Sequence, residues 1–561
     1  MNEEIELEEY APWLVVGITL IGAFLRAFML NDKGMWLDET FSVWLAGHSV
    51  PDMLQWIVKI DQHPPLYYLL LHFWIALWGD TPHSTRLLSA ILGAATIPII
   101  YLIGKRMSGA PMGLAAAVFL AFSLFNIYYG QEARMYTLLA FNAAVAVYAL
   151  VRLLTDARAV TPVGSQVRNY IHVWRTAGPA APDPKAEFSY RDAARAQSGW
   201  RAWVARHRWL PLDAIATDLA WLTFVVFTVA TMLTHNTAVF LPLAANLFVL
   251  GLMVVQRLTR ADAPPSLQAP SLGNWVKAQI AVFVLWSPWL VFFVRQSRAV
   301  YARFWIPAPT WDGVVQVVKS LLYPSAPLPT GQAMVIWILY GVVLCLGVLH
   351  FRKQLARLAF LVTLFAVPFL GELLVSIRRP IFYDRTLIWT TIPLFLLLGA
   401  GIAQLRFRFL TIAAVGILAT FSLFAAGDYY RFYQKEDWST AAGYVAKYAE
   451  EGDLVLFNSN FVEIPFNYYF RAYEDLYHIQ VEKQGVPQDL LTTGRLEPEM
   501  TVDDVPDLRA LVRDRDRVWL VYSHDSYTDP TGLIPQTLAA QMELTQQRDF
   551  YGGQVQLYEA P

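Results

Sequence analysis

The amino-acid sequence predicts a polytopic α-helical membrane protein that carries a small α/β domain at its C-terminal end. The chain of 561 residues is 56% hydrophobic and only 16% charged, whereas soluble domains carry roughly 25% charged residues. Its apolar residues also form long runs, as at 11–25, 219–233 and 386–405. Because about 20 helical residues cross the ~30 Å hydrocarbon core of a bilayer, these runs predict membrane spans.

Eleven segments have the length and composition of a membrane-spanning helix. The first follows an acidic N-terminal stretch rather than the basic start of a cleaved signal peptide, so we expect it to be retained. A twelfth apolar segment, 64–78, has only about fifteen residues and is predicted to be an interfacial or re-entrant helix. The eleven predicted spans are 11–30, 84–104, 111–127, 134–154, 214–233, 237–257, 275–296, 333–349, 357–376, 385–405 and 409–427.

The basic residues of the loops orient these spans. With the N-terminus in the cytoplasm, eleven spans place the arginine-rich loop 155–213 and most other basic loops inside, as the positive-inside rule requires. Counting 64–78 as a full span would reverse every later loop. We therefore predict a multi-pass plasma-membrane protein with a transmembrane domain at 1–427 and a first outside loop at 31–83.

Residues 428–561 differ in composition from the rest of the chain. They hold 11 lysines and arginines against 23 aspartates and glutamates, and long apolar runs give way to short alternating elements. This alternation predicts an α/β domain with a mainly parallel sheet, which the eleven spans place outside. The predicted helices are 438–448, 464–473, 505–512 and 535–546, and the predicted strands are 454–457, 477–481, 518–522 and 554–558.

Net charge and cysteine content exclude several classes of site. The formal net charge is −2, so the chain has no basic footprint for nucleic acid. The single cysteine, Cys345, lies in an apolar run and allows neither an intrachain disulfide nor a thiolate metal cluster. We expect membrane lipids, and no nucleic acid, among the partners.

Two adjacent carboxylates, Asp38 and Glu39, follow the first span. Aromatic neighbours, Trp36 and Phe41 among them, indicate burial near the membrane interface. A partly buried carboxylate beside a reacting hydroxyl acts as a general base, which contributes roughly 10²–10⁴ in rate. A pair of solvated loop acids is the simpler alternative.

A second charged pair, Glu132 and Arg134, lies in the short outside turn 128–136 beside three tyrosines. The two side chains either form an ion pair with each other or bind a sugar and a phosphate. The pair is more than a short connection between two spans requires.

Three arginines, Arg378, Arg379 and Arg385, lie in the outside loop 376–385 and break the charge rule that the other loops obey. Guanidinium groups bind phosphate bidentately, so the cluster predicts a site for a lipid phosphate. Binding of anionic lipid headgroups is the alternative.

Two histidines lie in outside segments. His63 precedes the proline pair Pro64-Pro65, and His235 lies in the turn 234–236. Both are candidate ligands of a divalent metal ion or donors to a phosphate, and a histidine that faces water at a helix start is the alternative for His63. No other feature of the sequence calls for a cofactor.

Taken together, these segments resemble the membrane glycosyltransferases with the GT-C fold. The resemblance is greatest to glycosyltransferase family 39, which includes protein O-mannosyltransferases and the aminoarabinose transferase of lipid A. It spans most of residues 11–410 and leaves the α/β tail out. The matching segments are 36–39, 63–68, 86–90, 131–136 and 384–385.

The resemblance implies an inverting transferase of the cell envelope. Such an enzyme moves a sugar from a polyprenyl-phosphate donor to an acceptor hydroxyl on the outer face of the membrane, and the acceptor is a glycan, a lipid or a protein. It implies that Asp38 is the catalytic base, that Glu39 supports it, and that Glu132 belongs to the same site.

The resemblance also implies a set of donor-binding residues, which hold the phosphate or the lipid: Tyr67, Arg134, Arg378, Arg379 and Arg385. Some relatives hold a divalent metal near the first loop. His63 stands where the aminoarabinose transferase has a lysine, so this chain departs from the pattern there, and His63 with His235 would form the metal pair.

Two other functions fit parts of the sequence. A transporter or flippase of lipid-linked sugars explains the spans and the arginines but gives Asp38 and Glu39 no task. A non-catalytic assembly factor or sensor would be built around the tail. The spans lack the midplane charge pairs of a proton-coupled pump, which disfavours an ion transporter.

Overall fold

The structure, a computed structural model, describes residues 2–156, 212–259, 266–299, 308–322, 330–405, 407–495 and 498–561. Nearly all of the predicted cytoplasmic loop 155–213 lies outside these residues. The α-helices of the first part of the chain are α1 (Asn2–Ala27), α2 (Leu37–Ala46), α3 (Val50–Ile60), α4 (Leu66–Trp78), α5 (Pro82–Ser108), α6 (Ala110–Phe122), α7 (Leu124–Gly130), α8 (Tyr136–Thr155), α9 (Leu212–Met232), α10 (Phe240–Leu258), α11 (Leu272–Ala299), α12 (Trp311–Leu322), α13 (Thr330–His350), α14 (Leu355–Ser376), α15 (Thr391–Ala403) and α16 (Arg408–Phe432).

The tail contains both helices and strands. Its helices are α17 (Trp438–Tyr448), α18 (Glu463–Tyr477), α19 (Leu490–Thr493), α20 (Val505–Val512), α21 (Asp525–Thr528) and α22 (Leu533–Ala539). Its strands are β1 (Leu454–Phe457), β2 (Glu482–Gly485), β3 (Arg517–Tyr522), β4 (Glu543–Phe550) and β5 (Gly553–Glu559). Short 3₁₀ helices occupy Asn236–Val239, Asp384–Thr390, Asn460–Val462 and Val502–Asp504.

The apolar helices confirm the predicted class of a multi-pass membrane protein. In the described parts of the chain, eight helical segments are long and apolar enough to span a bilayer, and α6 with α7 would make a ninth. The predicted spans 214–233 and 333–349 coincide with α9 and α13, whose described parts are shorter apolar helices. The segment 64–78 forms the short helix α4, as its length predicts.

The third span is broken between α6 and α7, which meet at an angle of 57°. The break at Ser123 leaves the last carbonyls of α6 without helical partners. Arg26, fully buried in α1, donates to Leu120 O (2.9 Å) and Ala121 O (3.2 Å). Backbone carbonyls within a membrane need hydrogen-bond donors from the protein itself, and the Arg26 guanidinium supplies donors to these two.

Six chain segments meet at one end of the helical bundle. They follow α1, α9, α14 and α16, precede α5, and join α7 to α8, so helices that run in opposite directions bring their loops together. Ion pairs and hydrogen bonds among residues 38, 39, 86, 134, 385 and 435 join most of these segments. From the segment after α9, Asn236 Nδ2 donates to Gln62 O at 2.7 Å. The first loop, the turns after α7, α9 and α14 and the start of the tail, all predicted to lie outside, therefore share one end of the part of the molecule that the structure describes.

The tail folds as a five-stranded sheet in the order β2-β1-β3-β5-β4. β1 pairs in parallel with β2 and β3, whereas β5 is antiparallel to β3 and β4, so the sheet is mixed rather than mainly parallel. The confirmed part of the prediction is a small C-terminal domain of helices and strands.

Two predicted elements of the tail were wrong. Residues 543–546, predicted as the end of a helix, begin strand β4, which turns back into β5 at Gly552, where φ is +98°. The pairing of β4 with β5 overrides the weak helical pattern there. The strand predicted at 477–481 lies instead at 482–485, because α18 extends to Tyr477.

The tail docks on the loop that precedes α2. The Met35 amide donates to the Tyr469 hydroxyl (2.7 Å), and the Leu37 amide donates to a carboxylate oxygen of Glu436 (3.1 Å). The Tyr468 hydroxyl donates to Asp80 O (2.7 Å). Bundle and tail thus hold α2 between them, with both acids of the predicted site at its first turn.

Candidate active site

Asp38 lies in the first turn of α2, and its carboxylate is 27% exposed. One oxygen, Oδ2, accepts from Arg385 Nη1 at 3.1 Å and lies 3.9 Å from Arg134 Nε. Burial disfavours ionisation, but the charges of Arg134 and Arg385 outweigh it and hold the pKa of Asp38 below its usual value. Asp38 is therefore an ionised, partly open carboxylate.

Glu39, the next residue, is fully buried. Arg86 donates to both of its oxygens at 2.7 Å, the Ala133 amide donates to Oε1 at 2.9 Å, and Lys435 donates to Oε2 at 3.0 Å. Burial opposes ionisation, yet these cations and donors lower the pKa of Glu39 to about 2. Four donors fill the lone-pair positions of the carboxylate, so its contacts suit it to holding other segments in place.

Arg86 explains how Glu39 organises the first loop. Its guanidinium also donates to three backbone carbonyls, those of Leu30, Lys33 and Gly34, each at 2.8 Å. The ion pair with Glu39 thereby fixes the segment that leads from α1 into α2, and so fixes the position of Asp38.

Glu132 is buried beside Glu39, and a lysine from the tail side of the chain lies between them. Lys435 Nζ is 3.0 Å from Glu39 Oε2 and 3.3 Å from Glu132 Oε1. Burial raises the pKa of Glu132, Lys435 partly offsets this, and the neighbouring charge of Glu39 adds to it. Glu132 therefore holds its proton more readily than an ordinary glutamate.

Arg134 does not contact Glu132 through its side chain in the described part of the molecule. Its Nη1 donates to Asp38 O (3.1 Å) and to Ser42 Oγ (3.0 Å), and the residue is 3% exposed. The predicted alternative of a Glu132–Arg134 ion pair is thus replaced by two separate pairs, Glu132 with Lys435 and Arg134 with Asp38. Arg134 supports α2 at the level of Asp38.

The three predicted phosphate-binding arginines of loop 376–385 have different surroundings. Arg385 reaches Asp38 and lies over the rings of Tyr136 (5.5 Å) and Tyr383 (5.1 Å). Arg379 donates to Ser297 O at 2.6 Å, and Arg378 is exposed. Of the three, Arg385 is the one that the structure brings to the predicted base.

The two histidines lie side by side, with ring centroids 5.2 Å apart. His63 Nδ1 is 2.9 Å from Asp61 Oδ1, and Nδ1 of His235 accepts from the Thr237 amide at 3.2 Å. Burial, then the charges of His63, Arg385 and Arg134, lower the pKa of His235, so its imidazole is neutral. Among the described residues no cluster of three or more His, Cys, Asp and Glu side chains is arranged to hold a metal ion. Within this part of the chain, His63 and His235 therefore do not belong to a set of three metal ligands.

Comparison with known proteins gives one match to a protein family. A family profile described as dolichyl-phosphate-mannose-protein mannosyltransferase matches residues 62–163, which include His63, Arg86, Glu132 and Arg134. Comparison with curated protein sequences gives no match.

Solved structures match almost the whole chain. ArnT from Cupriavidus metallidurans in the apo state aligns over 97% of both chains with a TM-score of 0.58 and 13% identity. The chain has the GT-C fold of membrane glycosyltransferases. ArnT bound to undecaprenyl phosphate matches this GT-C chain with a TM-score of 0.52 and 13% identity, again over 97% of both chains. The apo oligosaccharyltransferase of Archaeoglobus fulgidus aligns with a TM-score of 0.50 and 9% identity, over 95% of this chain and 72% of its own.

Tyr67, predicted as a donor-binding residue, is fully buried in the GT-C bundle, with its ring 5.9 Å from that of Tyr68. Its neighbours include the charged groups of Arg134, Glu39 and Glu132. Tyr67 thus lies beneath the charged network rather than on a lipid-facing surface.

Sequence reasoning missed one residue of the network and left another without a role. Arg86 belongs to the motifs that carry the resemblance, yet no task was predicted for it. Lys435 lies in the charged run Lys435-Glu436-Asp437, which is typical of a solvated linker. A buried lysine in such a run is visible only once the fold brings it to two acids.

Proposed function

We propose that this GT-C protein is an inverting glycosyltransferase that moves a sugar from a polyprenyl-phosphate donor to an acceptor hydroxyl. The observation that carries the proposal is the hydrogen bond of 3.1 Å between Arg385 and Asp38. It joins a cation suited to a phosphate leaving group with an open, ionised carboxylate at the end of a membrane bundle. Undecaprenyl phosphate, which one solved structure of similar fold holds, is a lipid phosphate of the kind that would leave in this reaction.

The reaction follows from these two groups. The acceptor oxygen attacks the anomeric carbon while Asp38 takes its proton, so the new glycosidic bond forms as the bond from carbon to phosphate oxygen breaks. The electron pair of that bond leaves with the phosphate, and Arg385 stabilises the charge. Preorganised donors of this kind are worth about 10²–10³ in rate each.

Binding of the donor would also activate the base. In the free protein Arg385 lowers the pKa of Asp38, which makes the carboxylate a weak base. A donor phosphate competes with Asp38 for the same guanidinium. Once the phosphate engages Arg385, Asp38 loses part of its counter-charge and its pKa rises, so the base gains strength only when a donor is present.

The other predicted residues receive supporting roles in this scheme. Arg134 and Glu39 hold α2 and the first loop around Asp38, and Glu132 with Lys435 completes the charge balance behind them. Tyr67 lies under the network, and Arg378 and Arg379 would meet lipid phosphate at the rim. The donor set around His63 and His235 does not fit a metal ion, so no step runs through one.

The proposal places the site on the outer face of the plasma membrane, with the N-terminus inside and the domain 428–561 outside. The support is the positive-inside pattern of the loops together with their meeting at one end of the bundle. The tail would bind or position the acceptor, whether glycan, lipid or protein.

The test is a transfer assay with the purified full-length protein. Polyprenyl-phosphate-linked hexoses and pentoses are offered, and cleavage of the sugar–phosphate bond and formation of a glycosidic bond are followed together. We expect Asp38→Asn to lower kcat about 10²–10⁴-fold. An Asp38→Asn protein that is folded and fully active would remove Asp38 as the base. Movement of the sugar across liposomes without bond cleavage would favour the flippase, for which no comparison gives support.

A further inference from the structure

A groove of about 270 Å³ opens between α2, the end of α4 and helix α18 of the tail. Trp44 lines it on the side of α2, Asp80 at the end of α4, and Asn467, Tyr468 and Arg471 on the side of α18. Because one wall belongs to the bundle and the other to the tail, the groove exists only when the two are docked.

The walls combine apolar and polar surface. Trp44 and Tyr468 supply aromatic surface, while Arg471 and Asp80 lie 3.7 Å apart at the mouth, with side chains 61% and 51% exposed. A sugar ring has hydroxyls that donate and accept and a C–H face that packs on aromatic rings. Few polar groups set in an apolar wall are typical of a site for a small molecule of this amphipathic kind.

One polar atom in the groove wall lacks a partner. Asn467 donates its Nδ2 to Glu463 Oε1 at 3.1 Å, but its Oδ1 is buried and accepts no hydrogen bond. Buried acceptors in native proteins are nearly always satisfied, so Asn467 Oδ1 calls for an O–H or N–H donor, and the groove that Asn467 lines is the side from which one can approach.

The groove lies on the far side of α2 from the reacting centre. Asp38 and Ser42 contact Arg134, whereas Thr40, Val43 and Trp44 line the groove. A helix with its side chains is roughly 10 Å across, which exceeds the width of one sugar ring. A sugar in the groove is therefore not the one whose hydroxyl Asp38 deprotonates.

We infer that the groove binds a sugar unit of a glycan acceptor, at a distance from the hydroxyl that is glycosylated. The inference rests on the proposed transferase function and gives the acceptor its chemical class, a saccharide of more than one unit. The tail then takes part in selecting the acceptor by forming half of this site.

The experiment uses the full-length protein in nanodiscs and short linear fragments of glucan, mannan, galactan and arabinan. Saturation-transfer NMR measures binding of each fragment. We expect one class of fragment to bind the wild type, and both Arg471→Gln and Asn467→Leu to weaken its binding about three- to tenfold, the loss of one hydrogen bond. Arg509→Gln, an exposed arginine on α20, serves as the matched control and leaves binding unchanged.

Failure of this inference is distinguishable from failure of the proposed function. Cleavage of the donor without any saccharide, present in the wild type and lost in Asp38→Asn, reports the function alone. If donor cleavage is seen but no fragment binds, or if folded Arg471→Gln and Asn467→Leu bind as the wild type does, the groove assignment is overturned. Preferential binding of a peptide or lipid probe in competition with the fragments would overturn it as well. Arg471→Gln keeps the test valid if Asn467→Leu does not fold.

Discussion

Asp38 and Glu39 are neighbours in the chain, yet the protein surrounds them in opposite ways. Glu39 is fully buried and receives four hydrogen bonds, whereas Asp38 is 27% exposed and receives one side-chain hydrogen bond, from Arg385. A saturated carboxylate cannot accept a further proton or ligand without breaking a bond that holds the site. The difference teaches that the pair divides its work, with Glu39 as the anchor and Asp38 as the reacting group.

The sharpest way to break this comparison is to exchange each acid for its amide. Glu39→Gln leaves Arg86 and Lys435 buried without their common counter-charge, so we expect it to lower the free energy of unfolding by about 3–5 kcal/mol. Asp38→Asn alters a partly exposed ion pair and should lower the free energy of unfolding by only about 1 kcal/mol, while kcat falls about 10²–10⁴-fold. Thermal unfolding in detergent, beside activity, measures both. Equal destabilisation by the two amides would remove the division of work.

Lys435 tests whether the anchor depends on the tail side of the chain. Lys435→Met leaves Glu132 and Glu39 without the cation between them, so the pKa of Glu132 rises further and the protein loses about 3 kcal/mol of stability. Lys435→Arg retains the positive charge, so this variant should keep most of the transfer activity of the wild type. The measurements are Tm and the pH profile of kcat. A Lys435→Met protein with wild-type Tm and pH profile would make the lysine dispensable.

The link between Arg385 and Asp38 predicts a shift in the pH dependence. Asp38 acts when ionised, above its pKa, and Arg385 is, after Arg134, one of the charges that lower that pKa. Arg385→Gln should therefore raise the pKa and move the acid limb of kcat/KM to higher pH, in addition to lowering the rate. Profiles of kcat/KM for wild type and variant, at donor concentrations far below KM, report the free enzyme and measure the shift. An unmoved acid limb would separate Arg385 from the base.

Arg378 supplies the smallest expected effect and the matched control for Arg385. It belongs to the same basic loop but is exposed, with its side chain outside the charged network. Arg378→Gln should change kcat less than about twofold and leave the acid limb in place, since isolated surface charges contribute little. An effect on the donor KM alone would agree with the proposed contact of Arg378 with lipid phosphate at the rim, whereas a shifted acid limb would contradict its separation from the base.

Much of the fold follows from the sequence because the bilayer imposes a simple rule on it. Each predicted span coincides with apolar helical structure, and α4 is as short as its apolar run. The break between α6 and α7 was not predicted, since Ser123 is no helix breaker and the run 111–127 is apolar apart from Ser123 and Asn126. The strand β4 was missed because its stability comes from pairing with β5 rather than from its own residues.

Site residues that belong to recognisable sequence motifs were predictable, and the others were not. Asp38, Arg134 and Arg385 stand in short recognisable segments, and the structure brings them within hydrogen-bond or ion-pair distance. What sequence could not show is which acid would be saturated, because that depends on Arg86 and Lys435, which approach from far along the chain. Local pattern holds no information about a contact between residues 396 positions apart.

That long separation has a consequence for biosynthesis. The ion pair of Glu39 with Arg86 can form once two spans are made, but Lys435 follows the last membrane helix and reaches Glu39 and Glu132 only when the whole bundle has been inserted. In a ribosome-bound or truncated chain that lacks residue 435, Glu39 and Glu132 are without the cation that lies between them in the complete site. The site would thus assemble last, and a half-made protein would leave the donor lipids of its membrane intact.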